Sequence, residues 1–265
     1  MITTVQEIWE SLKEQVVHLK QGEGVDGLLF GRPEDAVIKV VVAFNCSWYV
    51  IERAIELGAN LIITHEGLFY SHYHDVSHGS CALAAAKQQR IEEHKIAVIR
   101  CHDAIHSYEP DGVTLGLLRV LGWEKFVIKH DRHAAVAVIS ELSALDVAKH
   151  IKRKLAIPNV RLIGSGTSKC TKVGVLVGYR GGGSLVIPLF EEENVELVIY
   201  GEGPEWETPE YIRDAVYTGK SQAAIVLGHA ESEIPGMKLL VEWLRRRFTN
   251  TEVCFVEEPS PFQMI

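Results

Sequence analysis

Several things are scarce or missing in this 265-residue chain, and each shortage narrows what it can be. It has five cysteines, Cys46, Cys81, Cys101, Cys170 and Cys254, an odd number with no C-x-x-C pair. That argues against a zinc ribbon and a disulfide framework, and fits a reducing compartment. Basic residues are outnumbered, 27 Lys and Arg against 35 Asp and Glu, for a formal net charge of −8. The one dense basic run, Arg245 to Arg247, is flanked by Glu242 and Glu252 and reads as a solvated helix face. A nucleic-acid groove needs clustered cations, so nucleic acid is not the expected partner. No apolar run approaches the roughly 20 residues of a membrane span. The opening MITTVQEIWESLKEQ carries acids and no apolar core of signal-peptide length. A cytoplasmic protein without a membrane partner is expected. A serine hydrolase finds no support, because G-x-S-x-G is missing. The run GYRGGGS, 178–184, lacks both the Gly-Lys-Ser/Thr phosphate-loop ending and dinucleotide glycine spacing, and reads as a tight strand-to-helix turn.

What is present is a 47% hydrophobic sequence, enough for one large domain or two modest ones. Its most informative stretch is LIITHEGLFY, 61–70, where a buried-strand pattern stops at Thr64, His65 and Glu66. Two other strand-like runs end the same way. AVIRCHD sets His102 and Asp103 after Ala97 to Arg100, and AIVLGH sets His229 after Ala224 to Leu227. The carboxyl ends of parallel strands share one edge of an open α/β sheet, and ligands bind there. Three strands finishing on histidine are therefore expected to bring their imidazoles together.

Periodicity supplies the frame. Val5, Ile8, Leu12, Val16 and Leu19 at helical spacing predict a helix over 3–20 with Thr4 as its N-cap. The stretch GEGVDGLLFGRPED reads as a Gly-rich loop. Val37 to Phe44 is a doubly buried strand, Ser47 caps a helix over 48–58, and the strand at 61–64 completes a βαβ unit with a right-handed crossover. SHYHDVSHGS, 71–80, is polar and His-rich, and His72, His74 and His78 read as loop residues by default, with an accessory metal site as the alternative. CHDAIHSYEPDGV has no periodicity and reads as a functional loop. From about residue 126 the pattern changes to a second series of strands and helices. Two α/β lobes follow: 1–125 with 222–265, and an inserted lobe 126–221.

GHAESEIPG spaces His229 and Glu233 four apart, but Pro235 biases the residue before it away from helix, so a structured loop is expected there. His65, Glu66, His102, His106, His229 and Glu233 are nitrogen and carboxylate donors without thiolate. Such a set suits zinc, iron, manganese, cobalt or nickel, and the ligands alone do not choose among them. It exceeds what one closed structural zinc needs, and a pair of ions sharing an activated water is the natural use of the surplus. The bland alternatives are a His65 bonded to a neighbouring loop and a Glu233 favoured by a helix dipole.

THEGLF, HDAIHSYEPDGV and GHAESEIPG resemble, in that order, three signature segments of the NIF-three-like family, whose members are often called GTP cyclohydrolase I type 2 homologues. ELGANLIITH and GYRGGGS resemble family segments as well, so the similarity spans nearly the whole chain. The resemblance implies a two-lobed α/β fold of mixed sheets flanked by helices, a dinuclear metal centre between the lobes, and a toroidal homohexamer. Carried over by motif, the ligands are His65, Glu66, His106, His229 and Glu233, with His102 and Asp103 supporting them. Glu66 stands where the family has a second histidine and His106 where it has aspartate. An alternative register makes Asp103 the ligand, and Asn45 stands where the family often has Asp. The implied activity is a metal-dependent hydrolase of a small nucleotide-like or heterocyclic substrate, with Glu66 and Glu233 as candidates for proton transfer. The other reading is a non-catalytic oligomeric metal-binding or regulatory protein.

Overall fold

The computed structural model describes residues 2–17, 24–73 and 81–263. Two compact units divide the chain, the first made of Met1–Glu109 with Met237–Ile265 and the second of Pro110–Gly236. The division falls earlier than the expected 125/126 and later than the expected 221/222.

In the first unit, β1 (Gly27–Phe30), β2 (Lys39–Ala43), β3 (Leu61–Thr64), β4 (Ala97–Arg100) and β11 (Glu252–Phe255) form one sheet in the order β1-β4-β3-β2-β11. β4, β3, β2 and β11 run parallel, and β1 closes an edge antiparallel to β4. β1 lies in the segment expected to be loop. Its Gly-rich flanks hide a four-residue strand that long-range pairing with β4 stabilises. Helices α2 (Trp48–Glu56) and α3 (Ala82–Glu93) make the crossovers between the parallel strands. Ser47 caps α2 by accepting the Val50 amide, as its position predicts. Val41, Ile62 and Val98, one from each central strand, pack with Ile51 and Ala54 of α2 and Ile91 of α3. Fully burying each of these Val and Ile side chains contributes roughly 1.5–3 kcal/mol.

Helix α1 (Val5–Lys13) begins in a complete capping box between Thr4 and Glu7. It stops short of the expected 3–20: Val16 and Val17 lie beyond its end, and the Val17 amide bonds the Ser107 carbonyl. Leu19 and the turn at Gly22 lie outside the described residues.

The second unit holds β5 (Val127–His130), β6 (Ala135–Ser143), β7 (Arg161–Ile163), β8 (Lys169–Val175), β9 (Leu197–Tyr200) and β10 (Ala223–Val226), ordered β5-β6-β8-β9-β10-β7. β8, β9 and β10 are parallel, joined through α7 (Gly183–Glu191) and α8 (Thr208–Tyr217). β10, expected in the first lobe, pairs with β9 and β7 and so belongs to this sheet. The same unit takes in α5 (Gly112–Leu121), which ends at a left-handed Gly122, and α6 (Ala144–Leu155), capped by Ser143.

Helix α9 runs His229–Arg247 with Pro235 inside it, where a structured loop was expected. Proline in a helix interior forfeits a backbone hydrogen bond. Close packing outweighs that loss. A Cβ on Gly236 would lie 2.5 Å from Val113 Cα, so the two backbones touch. Ser232 also locks the first turn, donating to the His229 carbonyl at 2.7 Å while accepting the Gly178 amide at 2.9 Å. Arg245, Arg246 and Arg247 are exposed at the far end of α9. Among the described residues no helix is long and apolar enough to cross a membrane.

Candidate metal centre

Register builds the site in the first unit. Thr64 and Arg100 are direct partners across β3 and β4, so the residues that follow each strand emerge side by side. His65 and Glu66 leave β3, while His102 leaves β4 and begins the short helix α4 (Asp103–His106). The His65 and His102 rings stack with centroids 4.5 Å apart. His106 meets both edge-on at 5.1 Å. Ligand-capable atoms of His65, His102 and His106 all lie within 4.8 Å of one another, and those of Glu66, His72 and His102 form a second such group.

The hydrogen bonds fix which nitrogen each ring offers. His65 is buried, and its Nδ1 lies 3.2 Å from the Cys101 carbonyl oxygen. A carbonyl can only accept, so Nδ1 carries the proton and Nε2 keeps the lone pair. His102 Nδ1 sits 2.9 Å from Asp103 Oδ1, which imposes the same tautomer. Burial, opposed by Asp103, pushes the His102 pKa down to about 4, so its imidazole is neutral at neutral pH. The His102 hydrogen bond holds the Asp103 carboxyl well below the usual range. Asp103 is anchored in turn by the Val25 amide at 2.7 Å. Metal-binding histidines characteristically give their second nitrogen to an oxygen acceptor in this way.

Two groups that the sequence reading passed over organise the surroundings. Asp26 accepts the amides of His102, Asp103 and Ala104 at 2.6, 3.1 and 2.6 Å, capping α4 from across the chain. Burial nonetheless raises its pKa, against the pull of those amides. Arg100, fully buried, donates to the His65 carbonyl at 3.2 Å and faces Glu66 Oε2 at 3.4 Å and His72 Nδ1 at 3.3 Å. An arginine ending an apolar strand is visible in the sequence; its burial is not. Of the His-rich stretch, His72 joins this group, whereas His74 and His78 lie outside the described residues.

The second unit repeats the arrangement in its own sheet. Val226 pairs with Tyr200, so His229 after β10 stands beside Glu202 after β9. His229 Nδ1 lies 2.8 Å from Glu202 Oε1, and its Nε2 lies 3.2 Å from the buried Glu233 Oε2. Gly178 shows why the Gly-rich run is needed: it has φ +57°, and a Cβ there would lie 2.2 Å from Glu233 Oε1. The run serves close packing and a helix start. Glu207 accepts the Gly183 amide at 2.7 Å, and Arg180 pairs with Asp111 at 2.8 Å. Glu202 is thus bonded to His229, Glu207 to Gly183, and Glu205 forms an exposed ion pair with Arg161.

The three strands do not share one sheet edge as expected. His65 and His102 end neighbouring strands of one sheet, and His229 ends a strand of the other. The donors fit a divalent ion of the zinc, cobalt or nickel kind, because neutral imidazoles with oriented second nitrogens are its preferred ligands.

The class defined by these features is a mixed α/β protein of two sheets flanked by helices, with His and Glu groups able to hold a metal. Residues 3–261 match the family described as Duf34/NIF3 (NGG1p interacting factor 3), and the chain belongs to it. A Clostridium perfringens protein named GTP cyclohydrolase 1 type 2 homolog is 25% identical over 260 residues, covering 94% of both chains. One of the same name from Escherichia coli K12 is 21% identical, covering 86% of this chain and 87% of its own. Among solved structures, a Staphylococcus aureus hypothetical protein superposes with a TM-score of 0.81 at 20% identity over the full length of both chains. A Bacillus cereus protein related to NIF3 gives 0.79 at 15% identity, again over both full lengths. At these identities the structural likeness speaks for the fold.

Proposed function

We propose that this chain is a metal-dependent hydrolase acting on a small nucleotide-like or heterocyclic substrate. The observation that carries the reading is the shared chemistry of His65, His102 and His229, each giving Nδ1 to an oxygen acceptor and so presenting Nε2 as the donor nitrogen, which in His229 faces Glu233 Oε2 at 3.2 Å. By motif the metal ligands are His65, Glu66, His106, His229 and Glu233, a set that two divalent ions per chain would use. A bound ion supplies Lewis-acid polarisation and a water acidified toward neutrality. The protein's share is to orient the imidazoles through Cys101, Asp103 and Glu202 and to hold carboxylates beside them. Glu66 and Glu233 are the candidates for moving a proton. The name carried by the relatives supports a cyclohydrolase-like substrate class. A homohexameric assembly belongs to the same reading and rests on the family resemblance; sedimentation measures it.

A non-catalytic metal-binding role is favoured by one feature. Two carboxylates beside the imidazoles are engaged, Glu66 by Arg100 and Glu202 by His229. The test is elemental analysis of protein dialysed and reloaded with zinc, cobalt, nickel, manganese or iron, alongside His106→Asp, followed by a screen of phosphate-ester and heterocycle hydrolysis. Close to two ions per chain with metal-dependent turnover supports the hydrolase. Fewer ions, with the second regained only in His106→Asp, and no turnover would move the binding role ahead.

A further inference from the structure

We propose that His102 is itself a metal ligand in this protein, completing a three-imidazole set with His65 and His106, and that Glu66 is instead the counter-charge of Arg100. The proposal rests on the metal-binding reading above and changes its ligand assignment. Motif register gives the position beside His65 to Glu66 and leaves His102 a supporting role. The geometry points the other way.

Two candidate groups share His102: His65 with His106, and Glu66 with His72. The second group faces a cation already in place. Arg100 is fully buried, and its Nη2 lies 3.4 Å from Glu66 Oε2 and 3.3 Å from His72 Nδ1. Because a guanidinium only donates, the Nδ1 lone pair of His72 is directed at Arg100. A metal ion bound there would be repelled by a fixed positive charge with little solvent to screen it. Toward the first group Arg100 turns its Nε, which donates to the His65 backbone carbonyl at 3.2 Å and not to a ring nitrogen. Its rings stand 4.5 to 5.1 Å apart, centroid to centroid. His102 is held in place because Asp103 Oδ1 holds its Nδ1 at 2.9 Å while Val25 and Asp26 fix Asp103 and the start of α4. The Glu66-for-His and His106-for-Asp departures then make joint sense. An added carboxylate pairs with Arg100, a lost carboxylate is replaced by imidazole, and His102 supplies the remaining nitrogen. Three imidazole nitrogens select zinc, cobalt or nickel over magnesium or calcium.

The experiment is titration of the full-length, metal-free protein with zinc, and separately with cobalt(II) to read its visible d–d spectrum. His102→Ala, His102→Gln, Asp103→Asn and Glu66→Gln are compared with the parent. Circular dichroism and thermal unfolding of the metal-free forms show which variants are folded. His102→Ala and His102→Gln are expected to lose an ion, or to weaken binding by more than about 100-fold, and to change the cobalt spectrum. Asp103→Asn, a positioning change, should weaken binding about 10- to 100-fold with the spectral shape kept. Glu66→Gln should shift affinity only a few-fold. Unchanged stoichiometry and spectrum in both folded His102 variants, or loss of the ion in Glu66→Gln alone, overturns the assignment. Absence of tight binding in the parent overturns the metal-binding reading as well, and is distinguished by needing no variant to see it.

Discussion

The Asp26 carboxylate accepts the Ala104 amide at 2.6 Å across 78 residues of sequence. With the bonds to His102 and Asp103, this one side chain caps α4 and sets the loop that carries His102 and His106. Asp26→Ala leaves three backbone donors short of their acceptor and should cost roughly 2–3 kcal/mol. Asp26→Asn, which keeps an oxygen acceptor, should cost less. Urea denaturation of the metal-free protein measures both, and equal midpoints for Asp26→Ala and the parent would remove the capping role.

His65→Ala and His229→Ala should each lower bound metal sharply while the fold survives. Both residues leave the ends of strands whose own side chains form the cores, so far-ultraviolet dichroism should be unchanged. Metal content is read after dialysis and reloading. Full content in both variants would mean that the ligands lie elsewhere.

Two glycines separate a backbone clash from a side-chain clash. A Cβ on Gly116 would lie 2.4 Å from Gly236 Cα, so neither chain segment can yield cheaply. Gly116→Ala should destabilise by about 1–3 kcal/mol. At Gly178 the obstacle is the flexible end of Glu233, together with φ +57°. Gly178→Ala should cost about 1–2 kcal/mol and, by displacing Glu233, also weaken metal binding. Unchanged metal affinity in Gly178→Ala would uncouple Glu233 from the metal.

Lys87 is only 2% exposed and donates to the Leu68 carbonyl at 2.6 Å. Burial holds its pKa below the ordinary lysine value. Below the folded-state pKa both states keep the proton, and the folded state bears the full desolvation cost. Between that value and the unfolded one, the unfolded chain binds more protons, so stability rises with pH. The stability difference between the parent and Lys87→Met should therefore move in the parent's favour as the pH rises toward about 10.5. Denaturation midpoints across that range decide it, and parallel curves would count against a buried charge.

Much of the scaffold could be read directly from the residues. Ser47, Ser143 and Thr4 announce their helices because a capping side chain acts within three residues, and the apolar runs at 39–43 and 61–64 announce strands buried on both faces. His65, Glu66 and His102 were visible as polar groups at strand ends for the same reason. The helical turn through Pro235 was not, because its support comes from Gly178, Ser232 and Val113, far apart in sequence.

By itself the sequence determined the alternation of strands and helices, the caps, and the presence of imidazoles and carboxylates where strands stop. These are local properties of propensity and spacing. Only the tertiary structure decided that β10 joins β9 and not β3, that Arg100 is buried against Glu66, and that Asp26 caps α4. Sheet partners, desolvation and the tautomer of each histidine depend on groups brought together by long-range pairing, and those contacts exist only once the chain has folded.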